Sequence, residues 1–157
     1  NIPSFQFSNS PKVNIPIFQQ NNNIMQKVVV IDGCRTPFLK SGTDYMDLMS
    51  YQLGGFAIKG LLTKTGIDPK SVDSVIMGNV ISNVQTPNVA REAALMGGVP
   101  DTTPCRTVSQ ACISANRAIA DGCLEIMTGQ SDIVIAGGID HTSDTPIQFP
   151  RKMRKKR

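Results

Sequence analysis

The stretch from Thr107 to Gly129, TVSQACISANRAIADGCLEIMTG, constrains this chain more than any other. A β-favouring run, Arg106-Thr107-Val108, breaks at Ser109-Gln110 into a helical pattern. Ala111, Cys112, Ala115, Ile119, Gly122, Cys123 and Ile126 recur at i, i+3/i+4 and i+7 on one face. Arg117, Asp121 and Glu125 fall off that face. With Ala118 and Ala120 added, the helix carries so little side-chain bulk that neighbours can approach it closely, which predicts a place in the middle of the fold. Cys112 falls in the predicted first turn. Unpaired N–H groups and the positive dipole end stabilise an anion there, the form in which sulfur attacks. Position alone favours the plainer reading, because free cysteines are among the most buried residue types and usually only pack.

The rest of the chain alternates between short apolar runs and helical spacing. Lys27–Asp32, KVVVID, reads as a buried parallel strand. Pro37 disfavours helix at Thr36, so Gly33–Gly42 reads as a loop. Asp47–Thr65 has helical spacing through Leu48, Leu53, Ala57, Leu61 and Leu62, weakened by Gly54, Gly55 and Gly60 and closed by Gly66. Ser74–Val80 is a second strand, and Asn88–Gly97 a short helix with Asn88 as N-cap. Cys105–Val108 is a third strand and Ser131–Ala136 a fourth, with Gly137-Gly138 turning out of it. This alternation predicts an α/β layer, mostly parallel, with helices on both faces of the sheet.

Composition removes several classes of function. At 157 residues the chain can bury one real core. No apolar run approaches the ~20 residues that span a bilayer. The formal charge of +4 is concentrated: Arg151–Arg157 holds six positive charges, so residues 1–150 net −2. A mildly acidic body with 5% aromatic residues offers no surface for nucleic acid. Cys34, Cys105, Cys112 and Cys123 form no C-x-x-C pair, and His141 is the single histidine, so no metal site is expected. Cys112 and Cys123 would lie about 16 Å apart on one helix, too far to bond, which reads as free thiols in a reducing compartment. No G-x-G-x-x-G or G-x-x-x-x-G-K-[ST] occurs, and Gly137-Gly138 reads as a tight turn or a close backbone approach.

Five ordered pieces then point further: Arg35-Thr-Pro-Phe, Asn88-Val-Ala-Arg-Glu-Ala-Ala-Leu, Ser109-Gln-Ala-Cys-Ile-Ser-Ala-Asn, Ala136-Gly-Gly and Arg151-Lys-Met-Arg-Lys. In this order and spacing the chain resembles the thiolases from about Val28 to Arg154. The resemblance implies a thiolase-like fold, N-terminal half only, in which a central helix carries Cys112 as the nucleophile and acyl-thioester carrier. It implies a 3-ketoacyl-CoA thiolase, an acetyl-CoA C-acyltransferase of fatty-acid β-oxidation. Coenzyme A is then a co-substrate, with no bound cofactor and no metal. It divides the chain into residues 1–26, a disordered or transit-peptide-like segment; 27–150, an incomplete N-terminal domain; and 151–157, the basic start of a loop domain that covers coenzyme A.

The implied partners are 3-ketoacyl-CoA and coenzyme A, a second copy in a homodimer, a hydratase/dehydrogenase α-subunit, and a membrane surface touched by the basic tail. The plain alternative for that tail is a solvated charge run. A mitochondrial location is implied, although residues 1–26 contain no Arg to support a transit peptide, and peroxisome and cytoplasm stay open. Asn88 and Arg91, three apart on one helix face, read as a cap plus a surface ion pair, or as part of a subunit contact beside the nucleophile loop. His141 reads as a solvated loop residue before a general base. The Gly-His-Pro, Cys-x-Gly and Asn-Glu-Ala motifs of a thiolase second half do not occur. The chain is therefore expected to be inactive alone, and the alternative function is a non-catalytic thiolase-like subunit that pairs with another subunit or binds acyl-CoA.

Overall fold

The computed structural model describes residues 26–147, 149 and 150. The leading segment and the basic tail, for which disorder and phosphate or membrane contact are expected, lie outside the described residues. Three helices and three strands run α1 (Ser50–Thr65), β1 (Ser74–Gly78), α2 (Val89–Gly97), β2 (Cys105–Val108), α3 (Ser114–Met127) and β3 (Val134–Gly138), with short 3₁₀ turns at Pro69–Ser71 and Thr142–Asp144. The sheet is parallel throughout in the order β2-β1-β3. Its central strand β1 is buried along its whole length. That burial is why SVIMG carries no alternation of polar and apolar residues.

Strand alternation splits the two faces. Val75, Met77 and Ile135 join Ile58 and Leu62 of α1 and Ala90, Ala93 and Ala94 of α2 in one core cluster. The opposite face meets α3, where Gly122 packs on Val134 and Ala136. Helices therefore cover both faces, as expected. On the first face the glycines of α1 are contact points as well as weak helix formers. A side chain on Gly55 would strike Met96, and one on Gly54 would strike Ile139 and Ala93.

The helix ends explain their positions. α1 begins at Ser50, three residues later than the sequence predicts. Its first N–H groups are held by side chains at this point: Met49 N–H donates to Gln52 Oε1 (2.8 Å) and Ser50 N–H to Asp144 Oδ2 (3.3 Å). Gly66 closes it with φ 69°, as expected. α2 has the expected cap, Asn88 Oδ1 accepting from Arg91 N–H at 3.3 Å. The expected surface ion pair of Arg91 is replaced by a bond from its guanidinium to the Thr103 carbonyl (3.3 Å).

Three strand expectations need correction. Lys27–Asp32 is not a strand here. Val28–Ile31 have no hydrogen-bond partner among the described residues, and Val29, Val30 and Ile31 are exposed. An apolar run needs a neighbouring strand as well as a helix layer, and β3 does not pair with it. β1 ends at Gly78 instead of Val80, because Val80 and Ile81 turn their N–H groups to the Asp140 carboxylate (3.1 and 2.9 Å). β3 starts three residues late. The Asp73 carboxylate takes the N–H groups of Asp132 and Ile133 (2.8 and 2.9 Å) before the ladder begins. Gly137 and Gly138 then extend the strand, pairing with Met77 and Gly78, instead of turning out of it.

These two backbone bonds hold the Asp73 carboxyl below its usual range. A depressed folded-state value contributes stability above the unfolded value, near pH 4, that is lost as pH falls through the folded value. Asp73→Asn is expected to be less stable at pH 7 and to lose less stability than the parent between pH 5 and pH 2. Urea unfolding across that range measures both, and an unchanged acid slope refutes the assignment.

Candidate active site

Cys112 sits on the turn between β2 and α3, two residues before the first helical residue, Ser114. It is therefore not in the first turn of the helix, as the periodicity suggested. The small residues Ala111 and Cys112 continue the spacing of the helix, but the backbone leaves helical geometry at Ala111. That residue has φ 47°, the one non-glycine residue with positive φ among those described. A left-handed alanine is strained and persists only where its surroundings hold it. Here the holding group is Ser114, buried on the sheet. Its Oγ accepts from Gln110 N–H (2.8 Å) and donates to the Ala111 carbonyl (2.7 Å). Backbone bonds from Ile113 N–H to Gln110 O and from Ser114 N–H to Ala111 O close the same turn.

The sheet fixes this clamp from beneath. A side chain on Gly78 would run into the Ser114 carbonyl carbon and the Ala115 nitrogen. One on Gly138 would come within 2.7 Å of the Ala115 Cβ. The start of α3 thus lies directly on the backbone of β1 and β3, and Ala115 fits because both strands end in glycine. Ser114→Ala removes both side-chain bonds of the clamp, each worth a net ~0.5–1.5 kcal/mol.

The cysteine itself is exposed, as is Cys34, whereas Cys105 and Cys123 are half-buried. Burial pushes the Cys105 thiol up, partly opposed by Arg91, and its Sγ donates to the Thr103 carbonyl. Around Cys112 the buried stripe of α3 is Ser114, Ala118 and Gly122, spaced at i, i+4 and i+8. Of the residues expected to share one face, Gly122 is buried, whereas Ala111, Cys112 and Ile119 are exposed. Ile113, the N-cap of α3, and Ile119 and Leu124 within it are exposed, so among the described residues the covered side of α3 is the Ser114, Ala118 and Gly122 stripe. On its polar side Arg117 pairs with Asp121 at 2.8 Å, and Arg106 pairs with Glu125.

The other candidates separate. Asn88 lies at the start of α2, where its Oδ1 also accepts from Thr107 Oγ1 (2.8 Å) and its amide donates to the Cys105 carbonyl (3.0 Å). It ties α2 to β2, the strand that enters the cysteine turn. Thr107 completes the tie by accepting from Ala90 N–H (3.1 Å). His141 is not solvated. It is buried, with Nε2 at 2.9 Å from the Tyr45 carbonyl and its ring edge-on to Tyr45. It lines a cavity of about 470 Å³ with Arg35, Phe38 and Asp140, to which Cys112 does not contribute. Among the described residues no cluster of His, Cys, Asp or Glu could hold a metal ion.

A parallel sheet between helix layers, with an exposed cysteine on a strained turn leading into a small-residue helix, defines an α/β protein. The Thiolase, N-terminal domain description matches residues 28–157. The mitochondrial trifunctional enzyme subunit beta of Homo sapiens is 53% identical over 131 residues, 83% of this chain and 28% of that protein. A probable 3-ketoacyl-CoA thiolase of Caenorhabditis elegans is 46% identical over 131 residues, 83% of this chain and 29% of its own length. The crystal structure of the Bacillus anthracis acetyl-CoA acetyltransferase superposes with a TM-score of 0.81 at 30% identity, over 86% of this chain and 34% of that one. The chain belongs to the thiolase family, and it spans less than a third of the curated relatives it matches.

The sequence offered Gly137-Gly138 as a tight turn or a close backbone approach, and at Gly138 the close approach is what forms; it did not mark Ser114 or Gly78. Only the pairing of small residues on α3 with glycines at two strand ends could have flagged them. In competitive iodoacetamide labelling near neutral pH, Cys112 is expected to react fastest of the four cysteines and Cys105 slowest. Gly78→Ala, which overpacks the contact beneath the turn, is expected to cost about 1–3 kcal/mol in urea unfolding and to change the Cys112 rate. Gly137→Ala, which meets only the flexible Met77 side chain at 3.4 Å, serves as the mild control. Slower labelling at Cys112 than at Cys105 in folded protein refutes the expectation.

Proposed function

We propose that this chain is the nucleophile-bearing N-terminal half of a 3-ketoacyl-CoA thiolase, with Cys112 as the acyl carrier. The observation that supports it most is an exposed cysteine on the one strained non-glycine turn described, at the position of the family's nucleophile segment. Relatives named for 3-ketoacyl-CoA and acetyl-CoA supply the substrate class. The Cys112 sulfur attacks the 3-keto carbon of a 3-ketoacyl-CoA. The bond between C2 and C3 breaks, the shortened acyl group stays on sulfur, and the acetyl-CoA enolate takes a proton. A second coenzyme A, losing its thiol proton to a base, then attacks the thioester and releases the acyl chain.

Each step needs an acid or base and donors for a negative oxygen. Within this chain the sulfur and the backbone N–H of Cys112 are the parts offered. His141 is bound to Tyr45 in the buried layer, so it is not assigned the proton transfers. Those fall to the portion of the family's chain that this sequence does not include. Coenzyme A serves as co-substrate, and a mitochondrial setting with a second subunit follows the trifunctional relative.

The test is thiolysis, followed as loss of 3-ketoacyl-CoA absorbance on adding coenzyme A. The chain alone is expected to show none above background, since acid–base groups are worth ~10²–10⁴-fold and an oxyanion donor ~10²–10³-fold. Mixed with the separately made second half of a relative, it is expected to turn over, and Cys112→Ala is expected to abolish that turnover. Turnover that survives Cys112→Ala refutes the assignment.

A further inference from the structure

The two ends of the Cys112 turn are held by different means. The exit rests on Ser114 and the glycines beneath it. The entry is β2, four residues long and, among the described residues, paired only with β1. What else holds this strand is a buckle of two side chains, Asn88 and Thr107, on the face turned to α2.

The Thr107 hydroxyl donates to Asn88 Oδ1 (2.8 Å) and accepts from Ala90 N–H (3.1 Å), so both of its roles are used. Asn88 Oδ1 also accepts from Arg91 N–H (3.3 Å), and its amide donates to the Cys105 carbonyl (3.0 Å). Turning the amide over would set its nitrogen against the Arg91 N–H and its oxygen against the Cys105 carbonyl, so one orientation alone satisfies it. Ala90 and Arg91 lie in the first turn of α2, whose N–H groups have no partner inside the helix. A cap needs only the bond from Arg91. The remaining three bonds join the helix to the strand.

We propose that Asn88 and Thr107 are positioning residues for Cys112, which they hold in place by anchoring the strand that enters its turn. The proposal rests on Cys112 being the acyl carrier. Thr107 stands four residues before Ala111, the residue with φ 47°. Such a backbone conformation persists only while its surroundings over-determine it. Its strain and the net worth of one hydrogen bond are of the same order, so releasing a bond at the entry is enough to relax the turn. Cys112 is already exposed. Relaxation therefore gains it little access, and its reaction slows as the thiol leaves its seat at the start of α3.

The experiment follows the full chain and four variants by NMR and by iodoacetamide labelling. Thr107→Val keeps the shape of the side chain and removes the hydroxyl. Asn88→Asp keeps the cap on Arg91 N–H and sets an oxygen against the Cys105 carbonyl. Thr107→Ser carries the hydroxyl again. Thr103→Val removes a buried hydroxyl bond of the same kind, to the Val72 carbonyl (3.2 Å), outside β2. In the parent, the carbon shifts and amide-to-Hα coupling of Ala111 are expected to report the left-handed conformation. In Thr107→Val and Asn88→Asp that signature is expected to weaken. Cys112 labelling is expected to slow by about 2- to 12-fold, the population change equivalent to one net hydrogen bond. Thr107→Ser and Thr103→Val are expected to keep both, whatever stability they lose in urea. Absence of the signature from the parent, an unchanged Ala111 in Thr107→Val, or a shift at Ala111 with no change at Cys112 overturns the proposal. So does an equal effect of Thr103→Val, or a failure of Thr107→Ser to restore the parent values. None of these outcomes touches the assignment of Cys112, which Cys112→Ala in the thiolysis assay decides separately.

Discussion

The contact between the start of α3 and the ends of β1 and β3 is the constraint on which the rest depends. Gly78 and Gly138 leave no side chain between the sheet and the helix, so the backbone at Ser114 and Ala115 rests on strand backbone. Overpacking such a contact forces a shift of main chain and not merely of a rotamer. The position of Cys112 is inherited from this seat. The short turn above it, from Val108 to Ser114, passes through a left-handed alanine. The strain is held by a buried serine that bridges both sides of the turn.

Acidic side chains set the boundaries of the sheet around that contact. Asp73 delays β3 by capturing two N–H groups, Asp140 ends β1 by capturing two more, and Asp144 holds the start of α1 while accepting from Asn83. Each replaces a ladder or helix bond with a charge-assisted one of about twice the strength of a neutral bond. The mildly acidic body is thus partly spent on backbone, and every buried side-chain nitrogen or oxygen among the described residues has a partner. His141 belongs to the same framework, locking the Tyr45 loop to the strand layer.

Among the described residues, Ile113 at the cap of α3, Ile119 and Leu124 within it, and Val29, Val30 and Ile31 of the entering segment are exposed apolar side chains. A domain that covers less than a third of its relatives keeps the secondary structure of its own elements. The local integrity of the cysteine turn depends on contacts within this chain.

Composition and spacing alone determined the β-α-β alternation, three of the strands and all three helices to within a few residues. These follow from local propensity and burial: SVIMG, CRTV and the alanine-rich helix have few other ways to satisfy their side chains. The caps at Asn88 and Gly66 were legible for the same reason, since a cap acts within one turn of chain. What the tertiary structure decided is everything that depends on a partner distant in sequence. KVVVID has the composition of a strand, yet a strand exists only where a neighbour supplies hydrogen bonds. Periodicity put Cys112 in the helix, and the fit of Ser114 and Ala115 on Gly78 and Gly138 put it on the turn instead. His141, polar in its local context, became a buried brace because Tyr45, almost a hundred residues earlier, presents it a carbonyl oxygen.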